Sequence, residues 1–179
     1  MIVIDLSQIC IASIFADQGF KSAANNPSDE SKNLLKHMIF NSLRSYANNN
    51  RAKYGKMVLC ADGPKSWRKG VFQYYKANRK KGKDESPVNW EFVYEVMNET
   101  LEDLKEHFPY PVLKFEGAEG DDCIAATVKY VVENCTTTIG LFEESEPVLI
   151  VSSDKDFLQL QALQSVKQFS PIQKKFVET

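Results

Sequence analysis

The stretch Glu116-Gly117-Ala118-Glu119-Gly120-Asp121-Asp122 gathers four acids within seven residues. It follows the apolar run Pro111–Phe115 and precedes Ile124, Ala125, Val128, Val131 and Val132 at helical spacing, so its acids sit where a strand gives way to a helix. Glu119 and Asp122 share a helix face, with Asp121 beside them. Carboxylates this close repel one another unless a cation lies between them. Any one of them alone is explained as a helix cap that favours the macrodipole. Repetition weakens that explanation. Asp5 lies in the apolar run Met1–Leu6, Asp62 follows Met57–Ala61, and Asp154 and Asp156 follow Pro147–Ser152. Oxygen donors with no His or Cys among them select hard ions, Mg²⁺ or Mn²⁺ before zinc. A pair of such ions about 3.5–4 Å apart is a geometry that displaces at a phosphodiester.

A second pattern is basic. Ser66–Lys83 holds Arg68, Lys69, Lys76, Arg79, Lys80, Lys81 and Lys83 with no acid, and Tyr74 and Tyr75 interleave aromatics with the cations. Rings stack on the bases of single strands, and Lys and Arg contact phosphates. Lys80, Lys81 and Lys83 read more readily as a solvated basic face. The histidines, His37 and His107, lie in helical stretches far from the strand ends and read as surface or packing residues.

These side chains need a scaffold that brings strand ends together. Four apolar runs read as buried strands: Met1–Leu6, Met57–Ala61, Tyr110–Phe115 and Pro147–Ser152, with Val166–Phe169 as a fifth. Helices are expected over Gln8–Phe15, from Asp29 or Ser31 to about Asn49, over Ser66–Lys80, Val88–Phe108 and Gly120–Asn134, and shortly after Asp156. Gln18–Ser28 and Thr136–Glu146 read as loops, and Lys80–Pro87 as a mobile polar break. The alternation predicts an α/β fold, a mostly parallel sheet with helices on both faces. In such sheets ligands bind beyond the carboxyl ends of the strands, where the acids fall.

The bulk properties bound the rest. At 179 residues the chain is expected to be one domain. A net charge of −2 gives no global attraction to nucleic acid or membrane, so recognition must be local. Cys10, Cys60, Cys123 and Cys135 lack metal-ligand spacing and read as buried hydrophobes in a reducing compartment. No segment is apolar for long enough to span a bilayer, and a cytoplasmic location is the expectation.

Taken together, Asp5, Ala61-Asp62-Gly63, Trp67-Arg68, Tyr75-Lys76-Ala77-Asn78-Arg79, Gly117-Ala118-Glu119-Gly120-Asp121-Asp122 and Ser153-Asp154-Lys155-Asp156-Phe157 resemble, in order and spacing, the structure-specific 5′ nucleases. This is the flap endonuclease family, with a branch of phage RNase H enzymes. The resemblance covers Met1 to about Leu160. It implies a PIN-like fold and a Mg²⁺-dependent hydrolase, with two ions that Mn²⁺ can replace, cutting DNA or RNA·DNA near a 5′ end or flap, as in primer removal during replication. It implies Asp5, Asp62, Glu119, Asp121, Asp122, Asp154 and Asp156 as metal ligands, and Lys76 and Arg79 at the scissile phosphate. Tyr75 would stack on a base, Arg68 and Lys80 would contact nucleic acid, and residues 80–106 would form an arch. The implied setting is a monomer in the host cytoplasm of a phage, near a single-stranded-DNA-binding protein or clamp. The family continues into a helix-hairpin-helix-like module with one more metal-binding Asp, expected to be absent or truncated in this chain, and it usually has Ala where Gly120 stands. Two other readings stay open: a PIN-type endoribonuclease and a non-catalytic binder of branched DNA.

Overall fold

In the computed structural model, which describes residues 1–77, 83, 86–139 and 142–178, the sheet is organised by β1, Ile2–Asp5. Ile2, Val3 and Ile4 are each fully buried, which requires protein on both faces of the strand. Side chains alternate across a strand. Ile2 and Ile4 therefore join Leu59, Leu149 and Val151 in one core, and Val3 joins Val58, Cys60, Val148 and Ile150 in the other.

β1 pairs in parallel with β2 (Met57–Cys60), and β2 with β3 (Val112–Leu113). A separate hairpin, β4 (Thr136–Ile139) and β5 (Phe142–Ser145), stands outside the main sheet. On its other side β1 pairs in parallel with β6 (Val148–Val151), which pairs in parallel with β7 (Val166–Ser170). An antiparallel β8 (Lys175–Val177) closes the order β3-β2-β1-β6-β7-β8. Register places Asp5 opposite Cys60 and Ile4 opposite Val151, so three strands end level with one another.

One core is covered by α1 (Leu6–Ile14), α2 (Gln18–Ala24), α3 (Asp29–Tyr54) and α5 (Trp90–His107). The other is covered by α6 (Gly120–Asn134) and a 3₁₀ helix, Lys155–Ala162. Between β2 and α5 lies the five-residue α4, Trp67–Val71. The parallel sheet with helices on both faces is the predicted class.

Several elements differ from the sequence-based expectation. β3 is two residues long, at the sheet edge, and starts after Pro111, which has no N–H to donate. The Gln18–Ser28 segment contains α2, capped by Asp17, whose carboxylate accepts the Gly19 N–H at 2.7 Å. α3 continues past Asn49 to Tyr54, which is buried and draws the last turn onto the core. Thr136–Glu146 forms the hairpin rather than a loop. α5 falls within the region expected to arch over the site, yet it is a core helix. Phe92, Val93, Val96, Thr100, Leu101 and Leu104 are buried, and Lys32 and Lys36 of α3 pair with Glu95, Glu99 and Asp103 along it. Residues 78–82 and 84–85, including Arg79, Lys80 and most of the expected mobile break, lie outside the described residues.

Candidate active site

Asp5 is the last residue of β1 and the N-cap of α1. Its Oδ1 accepts the Gln8 N–H at 3.1 Å and its Oδ2 accepts the Ser152 hydroxyl at 2.9 Å. Capping and site formation thus coexist in one side chain. Asp5 is 9% exposed. Burial, with the negative charges of Asp121 and Asp62 adding to it, lifts its carboxyl from the ordinary 3.8 to about 6, against the pull of the two hydrogen bonds.

Asp62 leaves β2 one residue past Ala61 and is pinned at both oxygens. Oδ1 accepts the Gly120 N–H at 2.8 Å and Oδ2 accepts the Ser7 hydroxyl at 3.0 Å. A Cβ on Gly120 would lie 3.3 Å from Asp62 Oδ1, a tight contact. Gly120 therefore lets Asp62 close onto the head of α6 as well as loosening the helix start.

Asp121, in the first turn of α6, is half-buried and accepts no hydrogen bond among the described residues. Its carboxyl is raised by burial, then by Asp154 and Asp62. Asp154 caps the 3₁₀ helix through the Asp156 N–H at 2.9 Å, and Asp156 is exposed.

Glu119 and Asp122 have a different environment. Arg68 Nη1 and Nη2 each lie 2.8 Å from one Asp122 oxygen, a bidentate pair, and Nη1 is 3.3 Å from Glu119. Asp122 also accepts Trp67 Nε1–H at 3.3 Å and the Glu119 N–H at 2.9 Å, completing a capping box. The Arg68 pair holds the Asp122 carboxyl below its ordinary value. Glu119 accepts the Tyr75 hydroxyl at 2.9 Å and Lys76 Nζ at 3.0 Å. Burial pushes the Glu119 carboxyl up, but the Lys76 and Tyr75 bonds outweigh it and leave it lowered. Lys76 itself has φ 55°, the left-handed region, which costs a non-glycine residue about 1 kcal/mol. That cost is met where Lys76 and Tyr75 turn towards the acids.

Six of the seven acids therefore divide into two groups, and Asp156 stays exposed. Glu119 and Asp122 are neutralised by Arg68 and Lys76. Asp5, Asp62, Asp121 and Asp154 stand at one sheet edge and repel one another. Among the described residues no three His, Cys, Asp or Glu groups converge tightly enough to enclose an ion as they stand. By donor chemistry the four aspartates do fit a hard divalent cation: all are oxygen donors, and the repulsion between them is what such a charge relieves. A cavity of about 1120 Å³, lined by Met57, Leu113, Phe115, Asp122 and Tyr130 among others, meets none of the four. Asp62 lines a smaller cavity of about 160 Å³ with Ser7, Tyr94 and Lys114.

The sequence did not point to Ser7, Gln8, Ser152 or Gln168, which hold Asp62, Asp5 and the Asp154 segment. Isolated Ser and Gln residues carry no spacing signal.

The raised Asp5 carboxyl sets a pH dependence. A carboxyl whose pKa is higher folded than unfolded stabilises the fold when protonated, and that stability is lost as pH rises through the folded value. In EDTA, unfolding by urea should therefore show a gain of about 1.4 kcal/mol from Asp5 on going from pH 7.5 to 5, given the rise from 3.8 to about 6. Asp121 acts in the same sense. Glu119 and Asp122, being lowered, give up their stabilisation only below the ordinary carboxylate range. A steady loss of stability between pH 7.5 and 5 would refute the burial of Asp5.

The chain is similar to several known proteins. Ribonuclease H of Enterobacteria phage T4 is 37% identical over 98% of this chain and 53% of its own length. A 5′-3′ exonuclease of Buchnera aphidicola is 27% identical over 89% of this chain and 48% of its own. The chain thus spans about half the length of these curated relatives. Among solved structures, the bacteriophage T5 flap endonuclease in complex with DNA and metal ions superposes with a TM-score of 0.71 at 19% identity, covering 99% of this chain and 57% of that one. The T5 5′-exonuclease with bound zinc gives 0.68 at 18% identity, with the same coverage. A family model matches residues 1–178, and the chain belongs to the 5′-3′ exonucleases, as their N-terminal resolvase-like domain.

Proposed function

We propose that this chain is the catalytic domain of a divalent-metal-dependent 5′ nuclease, using Mg²⁺ or Mn²⁺ to hydrolyse phosphodiesters of DNA or RNA·DNA near 5′ ends or flaps, as in primer removal during replication. The observation that carries the reading is the set of four mutually repelling strand-end aspartates beside Lys76 and Arg68. The identity to phage T4 ribonuclease H supports it, and so do the DNA and metal ions held by the T5 flap endonuclease.

Asp5, Asp62, Asp121 and Asp154 would hold a cation, with Glu119, Asp122 and Asp156 available through water. A divalent ion bound there supplies a water of lowered pKa and neutralises charge that builds on the phosphate. The chain's own residues do the rest. Lys76 brings an ammonium to the rim, where it can leave Glu119 for a phosphate oxygen. The Tyr75 ring offers a stacking face for an unpaired base. Arg68, locked on Asp122, keeps α4 and the turn after it against the head of α6. Arg79 and Lys80 continue the same basic stretch in the sequence. A clamp or single-stranded-DNA-binding protein would be the partner at the fork.

The test is a substrate panel: 5′-flap DNA, an RNA·DNA hybrid and single-stranded RNA, each with Mg²⁺ or with EDTA. Flap and hybrid should be cut near the 5′ end in Mg²⁺, and EDTA should stop both. Cutting of single-stranded RNA with no need for a 5′ end would favour the endoribonuclease reading. Binding of flap DNA with no product would favour a non-catalytic binder.

A further inference from the structure

We infer that Gln168 and Ser152 are positioning residues that set where Asp154 stands relative to Asp5; the inference rests on the metal-site reading above. Asp154 lies beyond the end of β6, on a segment with no ladder of its own before the 3₁₀ helix begins. Gln168 holds that segment from β7. Its Nε2 donates to the Ser152 carbonyl at 2.9 Å and to the Asp154 carbonyl at 2.7 Å, so both hydrogens of one amide clamp carbonyls two residues apart. Its Oε1 accepts Gln161 Nε2–H at 3.3 Å from the 3₁₀ helix.

Ser152 completes the link. Its hydroxyl donates to Asp5 Oδ2 at 2.9 Å and accepts the Asp154 N–H at 3.1 Å, so a single oxygen ties the two acids together. Its own N–H is held by the Phe169 carbonyl at 3.1 Å. Next to it, the Ser153 N–H bonds to Gln8 Oε1, and the Ser153 and Ser170 hydroxyls meet at 2.6 Å.

Burial argues that this network is there for position. Ser152 is 0% exposed, Gln168 1% and Ser170 1%. The inward positions of β7 are Val166, Gln168 and Ser170, where aliphatic residues would serve the core better. A buried amide or hydroxyl adds little net stability even when bonded. What these groups add is direction, since both Gln168 amide hydrogens and the Ser152 hydroxyl end on the Asp154 segment or on Asp5. Partners behind metal ligands commonly change affinity by about 10–100-fold when removed.

The experiment measures Mn²⁺ binding by calorimetry, and amide hydrogen exchange in EDTA, on the full chain. Gln168→Leu and Ser152→Ala should each weaken Mn²⁺ at least about tenfold and speed exchange at Asp154 and Asp156. Ser152→Thr, which keeps the hydroxyl, should restore both. Gln168→Met serves if the leucine variant does not fold. Mn²⁺ affinity within twofold of the parent, with unchanged exchange at Asp154, overturns the proposal. Because neither readout needs cleavage, failure of the nuclease reading would show separately, as a parent chain that binds Mn²⁺ and cuts nothing in the substrate panel.

Discussion

Asp121→Asn should lower Mg²⁺-dependent flap cleavage by about 10³-fold, and it should raise the melting temperature of the metal-free chain. The two effects have one origin. Asp121 is half-buried in the first turn of α6, its carboxyl is raised by burial, Asp154 and Asp62, and it accepts no hydrogen bond among the described residues. The charge is unfavourable for the empty fold and useful only to a cation. An asparagine of the same shape removes the repulsion and removes an anionic ligand. A ligand that contributes several kcal/mol of charge stabilisation in the transition state is worth about three decades of rate. The favourable placement of an acid near a helix N-terminus, about 0.3–1 kcal/mol, opposes the gain in stability. The net upward movement of the carboxyl indicates that repulsion and burial win. Asp122→Asn gives the contrast, because its carboxylate is gripped by Arg68 and a neutral amide cannot replace that pair, so this variant should lower the melting temperature. Cleavage and thermal melting on both variants make the comparison. Retention of cleavage within tenfold in Asp121→Asn removes it from the metal site, and a fall in its melting temperature contradicts the electrostatic account.

Much of this was readable in the chain before any fold was drawn. Ile2–Ile4, Met57–Cys60 and Val148–Val151 are short continuous apolar runs, and strands buried on both faces need such runs. Parallel strands force their acids to one edge, so convergence followed from order alone. The division of the acids was not readable, because Glu119 and Asp122 look like Asp121 until Arg68 and Lys76 are seen to reach them. The basic stretch shows why. Trp67, Val71 and Phe72 have helical spacing, but among the described residues they are 54, 79 and 57% exposed and so do not hold a longer helix against the core. The helix stops at Val71, and the turns after it, including Lys76 at positive φ, carry Tyr75 and Lys76 to Glu119. α2 was missed because Gly, Ser and Asn in and beside it read as a turn, and the β4–β5 hairpin because it lacks the continuous apolar runs of the main-sheet strands. Gln168 was missed because a lone Gln in an apolar strand carries no local sign of its carbonyl partners.

Gly63→Ala should destabilise the chain by about 3 kcal/mol or more and displace Asp62 with it. A methyl group built on Gly63 would lie 1.7 Å from the Phe115 carbonyl oxygen and 2.8 Å from that of Ala118. Both obstacles are backbone, so no side chain can swing away. The loop cannot simply part, because three bonds zip it to the segment before α6. The Gly63 N–H reaches the Ala118 carbonyl at 2.9 Å, the Gly117 N–H reaches Pro64 at 2.8 Å, and the Trp67 N–H reaches Gly117 at 2.8 Å. Relief of the clash must push residues 62–67 away from 115–118. That movement draws Asp62 off the Gly120 N–H and Arg68 off Asp122, and a loss near 3 kcal/mol corresponds to a fall in melting temperature of roughly 6–12 °C for a chain of this size. Gly70→Ala is the control. No atom lies within 4 Å of a methyl group there, and the position is helical, so it should leave the melting temperature unchanged or slightly raised. Calorimetric melting with Mn²⁺ titration of both variants decides the matter. If Gly63→Ala melts within 2 °C of the parent and binds Mn²⁺ equally well, the close approach of these two loops is not what holds Asp62 at the sheet edge.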